Sequence, residues 1–251
     1  IKKTGVAPIQ PANKDGAGFI WDLIGDHYVY EKNPDLAKNI MANKLKPGDS
    51  PELVAAYQRI IDLKKYFKSD YASATGMDAL KQVANGEVAM FANGSWCYGI
   101  MNKDFADKLP NVGIMPITFG DDYGAVTRTT SQSGFAIPKD SKHIQEAKDF
   151  ISFVVTPLVA GAIAEVSPGT YPLNIETKKG PWDAEMEAYI AQGLPTRNQT
   201  TSHYYPDFDS GSGFGDCMQA MILGKPVKDA LNGELYKKML DINKTKRTSG
   251  W

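Results

Sequence analysis

The sequence predicts an α/β protein with a mixed sheet, since short apolar segments of strand length alternate with longer segments of helical periodicity. The apolar segment 6–9 (VAPI) runs into a polar loop at 10–18 and then into a helical pattern from Phe19. The segment 88–92 (VAMFA) follows a predicted helix that stops at Asn85 and Gly86, where glycine favours a left-handed cap. In both places a loop leaves the carboxyl end of a strand, which is where α/β proteins bind their ligands.

Further elements follow along the chain. Ser50 and Pro51 are typical of a helix start, and the residues that continue one helical stripe after them are Leu53, Tyr57, Ile60, Ile61, Lys64 and Phe67. Strands are predicted at 112–117 and 134–138, and helices at 77–84, 144–154, 156–166, from 183 onward, 216–223 and 227–242.

The composition excludes several classes of partner. With 251 residues, of which 42% are hydrophobic and 23% charged, the chain is large enough to fold around a sizeable core. Its 28 basic and 29 acidic side chains give a net charge of −1, which argues against a nucleic-acid partner and against an anionic membrane surface. No apolar run approaches the roughly 20 residues that cross a bilayer. The chain begins at Ile1 without Met or a signal-peptide layout, as we expect of a fragment or a processed product.

Cysteines and histidines predict no cofactor and no metal site. The spacing of Cys97 and Cys217 matches no metal-ligand pattern. The two residues can form one disulfide or remain two buried thiols, and buried thiols are the commoner case. The histidines His27, His143 and His203 have no spacing for a shared metal.

The segment 86–96 (GEVAMFANGSW) contains the strongest candidate for a ligand site. One face of a pyranose ring is a patch of C–H groups that an aromatic side chain can cover, and Trp96 is the best candidate for this role. Asn93 and Ser95 can exchange hydrogen bonds with sugar hydroxyls. Two alternatives stay open: Trp96 can be a core tryptophan at a strand end, and Asn93 with Gly94 can simply form a turn, since both tolerate positive φ.

The order of motifs resembles the extracellular solute-binding proteins of ABC sugar importers, the family of the maltodextrin-binding-protein type. The matching segments are GEVAMFANGSW at 86–96, SGFAIPKDSKHIQEAKDFISF at 133–153, GTYP at 169–172 and LGKPVKDAL at 223–231.

This resemblance implies a type II periplasmic-binding-protein fold that lacks most of its amino-terminal lobe. Residues 1–137 would form the second, carboxyl-terminal lobe, 138–173 a returning segment of the first lobe, and 174–251 the rest of the second lobe. The ligand of such proteins lies between two lobes that close over it. We therefore expect the chain alone to bind its sugar weakly or not at all.

The resemblance also implies a function. It predicts a monomeric protein outside the cytoplasm, periplasmic or lipid-anchored, that captures a mono- or oligosaccharide and delivers it to the permease subunits of an ABC transporter without chemical change.

Further binding residues are expected on the loops around Trp96. Asn13 and Asp15 lie on the loop after the first strand, where they are candidates for hydroxyl recognition, and Trp21 is a candidate for a second stacking surface. The family places small residues near its ligand before the crossing strand and a turn at the rim of the cleft. By this resemblance the candidates are Gln132, Ser133, Thr170 and Tyr171.

A carbohydrate-active hydrolase is the main alternative. Asp121 with Asp122, and Asp207 with Asp209, are acidic pairs, and glycoside hydrolysis needs two carboxylates that are close in space. The segment 93–97 (NGSWC) is not the Gly-x-Ser-x-Gly motif of a serine nucleophile. A binder of a non-sugar solute, such as a peptide or a polyamine, is a further alternative, although the near-neutral charge does not favour the acidic cleft that a polyamine requires.

Overall fold

A computed structural model describes residues 2–14, 33–116, 127–129, 135–166, 180–194, 196–198, 214–246, 248 and 250. The α-helices of these parts are α1 (Pro34–Met41), α2 (Pro51–Asp62), α3 (Gly76–Ala84), α4 (Cys97–Asp104), α5 (Ile144–Val154), α6 (Pro157–Val166), α7 (Pro181–Ala191), α8 (Phe214–Ile222), α9 (Val227–Ala230) and α10 (Tyr236–Thr245). A π-helical turn, Leu231–Leu235, joins α9 to α10. Single 3-10 turns occur at Lys2–Thr4, Pro47–Asp49, Leu63–Tyr66 and Leu109–Asn111. The strands are β1 (Ala7–Ile9), β2 (Val88–Met90), β3 (Thr127–Thr129) and β4 (Thr196–Asn198).

The described strands form two parallel pairs. In the first pair, Ile9 of β1 lies opposite Met90 of β2, and Ile9 also forms a parallel bridge to Phe67. Three segments of the chain therefore leave the same edge of this small sheet, after Ile9, Phe67 and Met90. The second pair joins β3 to β4, and its polar strands TRT and TRN have no apolar alternation from which they could be predicted.

The predicted helix start at Ser50 is confirmed. The Ser50 side chain accepts a hydrogen bond from the N–H of Leu53 at 3.2 Å, with Pro51 in the first turn. The helix buries Leu53, Tyr57 and Ile60 and ends at Asp62, where a 3-10 turn replaces the expected continuation. This stripe packs into the main core, whose buried members are Leu36, Ile40, Leu53, Tyr57, Ile60, Cys217, Met218, Met221, Ile222, Val227, Ala230, Leu231, Leu235 and Met239.

Helix α3 leads directly into β2, as predicted. A capping box of Thr75 and Asp78 opens the helix, and Gly86, at φ +72°, turns the chain into the strand. A second core lies between α3, α4 and α7, and its buried members are Leu80, Ala84, Cys97, Met101 and Trp182.

The strands predicted at 112–117 and 134–138 are wrong over their described residues, 112–116 and 135–138, which form no strand. The Glu185 side chain of α7 accepts the backbone N–H of Ile114 at 2.7 Å, and the indole N–H of Trp182 donates to the carbonyl of Val112 at 2.8 Å. Phe135 packs edge-on against Phe150 of α5, with ring centroids 5.7 Å apart. The apolar residues of both segments therefore reflect packing against helices and not a strand ladder.

Helices α5 and α6 form an apolar unit with little cover. No residue of α5 is buried in this structure, and Phe150, Phe153 and Leu158 are 54%, 57% and 79% exposed. Within the described residues, no single helix has the length and apolar character of a membrane span; only α5 and α6 taken together, with a 61° bend between them, meet that criterion.

Candidate ligand-binding site

Trp96 lies at the end of the loop that follows β2, immediately before α4 begins at Cys97. Its side chain is 38% exposed, so it is not a core tryptophan. Helix α4 is fixed from behind by the second core, where Tyr98 packs edge-on against Trp182 with ring centroids 5.4 Å apart. A rigid support on one side and an open face on the other are the conditions under which an aromatic ring can stack on a ligand.

The indole of Trp96 lies over the backbone of Gly94. A Cβ atom built on Gly94 would overlap the six-membered ring of Trp96, so only glycine fits beneath it. Neither Asn93 nor Gly94 has a positive φ, which means that the turn does not depend on the backbone freedom that the Asn-Gly pair suggested. Gly94 is needed here for space.

Short hydrogen bonds fix the same turn. The Asn93 side-chain oxygen accepts the N–H of Gly94 at 2.8 Å. The carbonyls of Gly94 and Ser95 accept the N–H groups of Cys97 and Tyr98 at 3.1 and 2.9 Å. Asn93, Ser95 and Trp96 are thus brought together on one ordered turn.

The loop after β1 leaves the sheet next to this turn. The N–H of Gln10 donates to the carbonyl of Met90 at 3.1 Å, so the two loops separate only beyond that bond. Asn13 is 4% exposed, which is less than we expect of a residue that meets a ligand on an open surface. Its backbone N–H donates to the carbonyl of Tyr71, at 3.3 Å.

The other predicted site residues, Asp15, Trp21, Gln132, Ser133, Thr170 and Tyr171, lie outside the described residues. The sequence analysis also missed Gln10, Asp70 and Gln82, whose side chains hydrogen-bond to one another beneath the loop after β1. Two glutamines and one aspartate in different elements form no local motif, and only the fold reveals their contact.

The described part of the site offers an indole, an amide and a hydroxyl as contacts for a ligand. In the described parts of the chain, His, Cys, Asp and Glu side chains form no group of three or more that could hold a metal ion. Cys97, the residue next to Trp96, is a buried free thiol, as is Cys217. Burial raises the pKa of the Cys97 thiol to about 11, so it is a neutral thiol at ordinary pH and a poor nucleophile.

Residues 2–160, more than half of the chain, match the profile of the family described as bacterial extracellular solute-binding protein. Among curated proteins, none matches the chain significantly.

Solved structures share the fold at low sequence identity. The binding protein MsmE of Bacillus subtilis subsp. subtilis str. 168, in an open conformation, is 20% identical with a TM-score of 0.70, over 98% of this chain and 62% of that protein. A sugar transporter of Bacillus licheniformis, in complex with stachyose, is 18% identical with a TM-score of 0.69, over 94% and 62%. A chitin oligosaccharide binding protein is 18% identical with a TM-score of 0.58, over 97% and 61%. The chain thus has the periplasmic-binding-protein fold and spans less than two thirds of the length of each of these proteins.

Proposed function

The chain belongs to the bacterial extracellular solute-binding protein family, and from this premise we propose that it captures a sugar against Trp96 and delivers it to the permease of an ABC importer. The observation that carries the proposal is the placement of the indole, which is 38% exposed at the carboxyl edge of the β1–β2 pair. A large aromatic surface left partly open at a ligand-binding edge gives the C–H face of a pyranose a place to stack.

Polar groups on the same turn suit the rim of the sugar. Asn93 uses its side-chain oxygen to hold the turn, which leaves its amide N–H groups to donate to hydroxyls. Ser95 adds a hydroxyl that both donates and accepts. In the proposed site Asp15, Trp21, Gln132, Ser133, Thr170 and Tyr171 complete the contacts. Asn13 joins them only if the groups that bury it move.

An oligosaccharide is the ligand class that the structural neighbours favour. One neighbour is described as bound to stachyose and another as a chitin oligosaccharide binding protein. Both ligands are uncharged sugars with many hydroxyl groups, in keeping with a chain whose net charge is −1. By this proposal the protein works outside the cytoplasm as a monomer, either periplasmic or lipid-anchored, and it releases its sugar unchanged.

The lobe arrangement is part of the proposal. Residues 1–137 and 174–251 would form one lobe and 138–173 the returning segment of the other. The exposed faces of Phe150, Phe153 and Leu158 support this division, because a helix pair that belongs to another lobe has its apolar partners there. The neighbours' length supports it too, since this chain covers 62% of the first of them. The chain alone would then have half of a cleft and bind weakly.

Calorimetric titration tests the proposal. The full-length protein and the chain 1–251 are titrated with stachyose, a chitin oligosaccharide and a maltodextrin, and each mixture is then assayed for new reducing ends. We expect saturable binding by the full-length protein, much weaker binding by the chain alone, and no new reducing ends. Failure of the full-length protein to bind any of these sugars would contradict the proposed capture of a sugar, and tight saturable binding by the chain alone would contradict the lobe arrangement. Release of reducing ends would favour the hydrolase, and selective binding of a peptide or polyamine would favour the non-sugar alternative.

A further inference from the structure

Gln10, Asp70 and Gln82 form a closed ring of side-chain hydrogen bonds under the loop after β1. The side-chain amide of Gln10, which is fully buried, donates to Asp70 Oδ1 at 2.7 Å and to Gln82 Oε1 at 2.8 Å. Gln82 closes the ring by donating through Nε2 to Asp70 Oδ2 at 2.8 Å. The ring therefore ties the end of β1 to α3 and to the turn that contains Asp70.

Only one orientation of the two amides satisfies this ring. If the Gln10 amide were reversed, its oxygen would face both the Asp70 carboxylate and the Gln82 oxygen, and two acceptors cannot share a hydrogen bond. Because Gln10 is buried, no solvent would compensate for the lost bonds. The ring therefore fixes the side chain of Gln10 in one state.

The charge of Asp70 is balanced on its outer side. Lys68 Nζ lies 2.9 Å from Asp70 Oδ2 and 3.7 Å from a Glu87 carboxylate oxygen. Burial raises the pKa of Asp70, but hydrogen bonds from Lys68, Gln10 and Gln82 outweigh it, and the pKa lies below its ordinary value. Asp70 is therefore a carboxylate, and hence purely an acceptor, at any pH at which the protein works.

The ring reaches the loop backbone through Gln10. Its side-chain oxygen accepts the N–H of Ala12 at 3.3 Å, and Ala12 is buried with a left-handed φ of +52°. Two residues further on, the N–H of Lys14 donates to the carbonyl of Ala74 at 3.1 Å, and the N–H of Ala74 in turn donates to the carbonyl of Asp70 at 2.9 Å. The residue that supplies the ring's carboxylate thus also organises the turn that receives the loop.

We infer that Gln10, Asp70 and Gln82 are positioning residues of the site, and that their ring sets the path of the segment 10–14 beside the Trp96 turn and so the affinity for sugar. This inference rests on the proposed function. The two segments leave the same edge of the sheet, since Gln10 N–H donates to the Met90 carbonyl at 3.1 Å, three residues before the turn with Trp96 begins at Asn93. By this inference a change in the ring shifts the segment 10–14 and so the site, although no ring residue is part of the Trp96 turn.

A hydrogen-bond swap tests the inference. In Asp70→Asn, one amide N–H must face another donor of the ring, and in Gln82→Glu two carboxylates face each other. The double variant Asp70→Asn with Gln82→Glu restores a closed ring, because the new amide donates to the new carboxylate and both still accept from Gln10. Asp62→Asn and Gln58→Glu are matched controls, since they make the same exchanges in an exposed pair on α2. In that pair Gln58 Nε2 donates to Asp62 Oδ1 at 3.0 Å.

Two readouts separate this inference from the proposed function. Hydrogen exchange of the Ala12, Asn13 and Lys14 amides needs no ligand, and titration with stachyose and a chitin oligosaccharide measures affinity in the full-length protein. We expect each single variant to exchange about tenfold faster at these amides and to bind about tenfold more weakly. The double variant should recover most of the slow amide exchange and most of the sugar affinity. The α2 controls should match the wild type in both quantities.

Three results would overturn the inference: single variants with wild-type exchange, a double variant no better than the singles, or faster exchange with unchanged affinity, which would make the ring structural only. If the wild type binds neither sugar, the proposed function fails, while the exchange comparison still decides whether the ring sets the loop's path. Should a single variant not fold, Gln82→Met removes the amide without adding charge and gives the same comparison.

Discussion

The six-membered ring of Trp96 covers Gly94 so closely that a methyl group on Gly94 would overlap it. The position of the indole is therefore set two residues upstream of Trp96, by a residue that has no side chain. This relationship explains why glycine stands in the turn although its φ is not positive.

Gly94→Ala is expected to displace the indole and to weaken sugar binding by about 1–3 kcal/mol, the scale of a lost aromatic contact. Titration calorimetry of the full-length protein measures this. Gly161→Ala in α6 is the control for the effect of a new methyl group, and it is measured in the chain 1–251, where that group meets nothing within 4 Å. There we expect a gain of about 0.5–1 kcal/mol in the free energy of unfolding. Equal affinity in Gly94→Ala and wild type would contradict the placement of the ring.

Trp96→Ala should weaken sugar binding by about 1–3 kcal/mol and should also lower the free energy of unfolding by about 1–3 kcal/mol, because the side chain is only 38% exposed. Trp96→Phe keeps a smaller stacking surface and should lose less. Dissociation constants and urea unfolding curves of the same preparations give both quantities. A dissociation constant that does not move in Trp96→Ala would remove this residue from the site.

Ala12→Gly should preserve the loop and should not lower the free energy of unfolding. Ala12 has a φ of +52°, a conformation that strains residues with a Cβ by about 1–2 kcal/mol and that glycine adopts freely. Ala12→Val, which adds a branched side chain at a fully buried position, should destabilise the protein strongly. Urea unfolding of the two variants checks the prediction, and a marked loss of stability in Ala12→Gly would contradict it.

The buried thiols predict a loss of stability at alkaline pH. Burial raises the pKa of Cys97 to about 11 and that of Cys217 to about 12, from an ordinary value of 9.0. As the pH rises above 9.0 the unfolded chain loses these protons before the folded protein does, so the free energy of unfolding falls until the folded thiols ionise as well. At about pH 10 the two thiols together should lower it by about 3 kcal/mol.

Urea unfolding near pH 8 and pH 10 measures this loss. The control is the double variant Cys97→Ala with Cys217→Ala, in which this part of the pH dependence should disappear. Iodoacetamide should label neither thiol rapidly in the folded protein near pH 8, and both in urea. Fast labelling of folded protein would show that the thiols are accessible.

Local signals allowed much of the helical structure to be predicted. The cap at Ser50 and the stop at Gly86 act through neighbouring backbone groups, so the residues that specify them lie within a few positions of each other. The segment 112–116 misled for the opposite reason. The N–H of Ile114 donates to Glu185, and the carbonyl of Val112 accepts from Trp182. Both partners lie about seventy positions away in the chain, so no local sequence pattern could predict these contacts.

In the candidate site, too, residues of one local motif could be predicted, whereas contacts between distant segments could not. Asn93, Ser95 and Trp96 could be singled out because one short motif contains them all, and the structure places them on one turn. The role of Gly94 was missed because a glycine suggests backbone freedom, whereas here it leaves room for a ring. The contribution of Gln10, Asp70 and Gln82 was missed since it exists only as contact between three elements.

The parallel pairing of β1 with β2 also bears on how the protein acquires its activity. Gln10 and Gln82 are 72 positions apart in the chain, so the edge from which both loops emerge exists only after distant parts of the polypeptide have met. Helices such as α2 can appear earlier, from local signals alone. During refolding, recovery of sugar capture should therefore lag behind recovery of helical content, and the ligand itself can report when the first strand has docked.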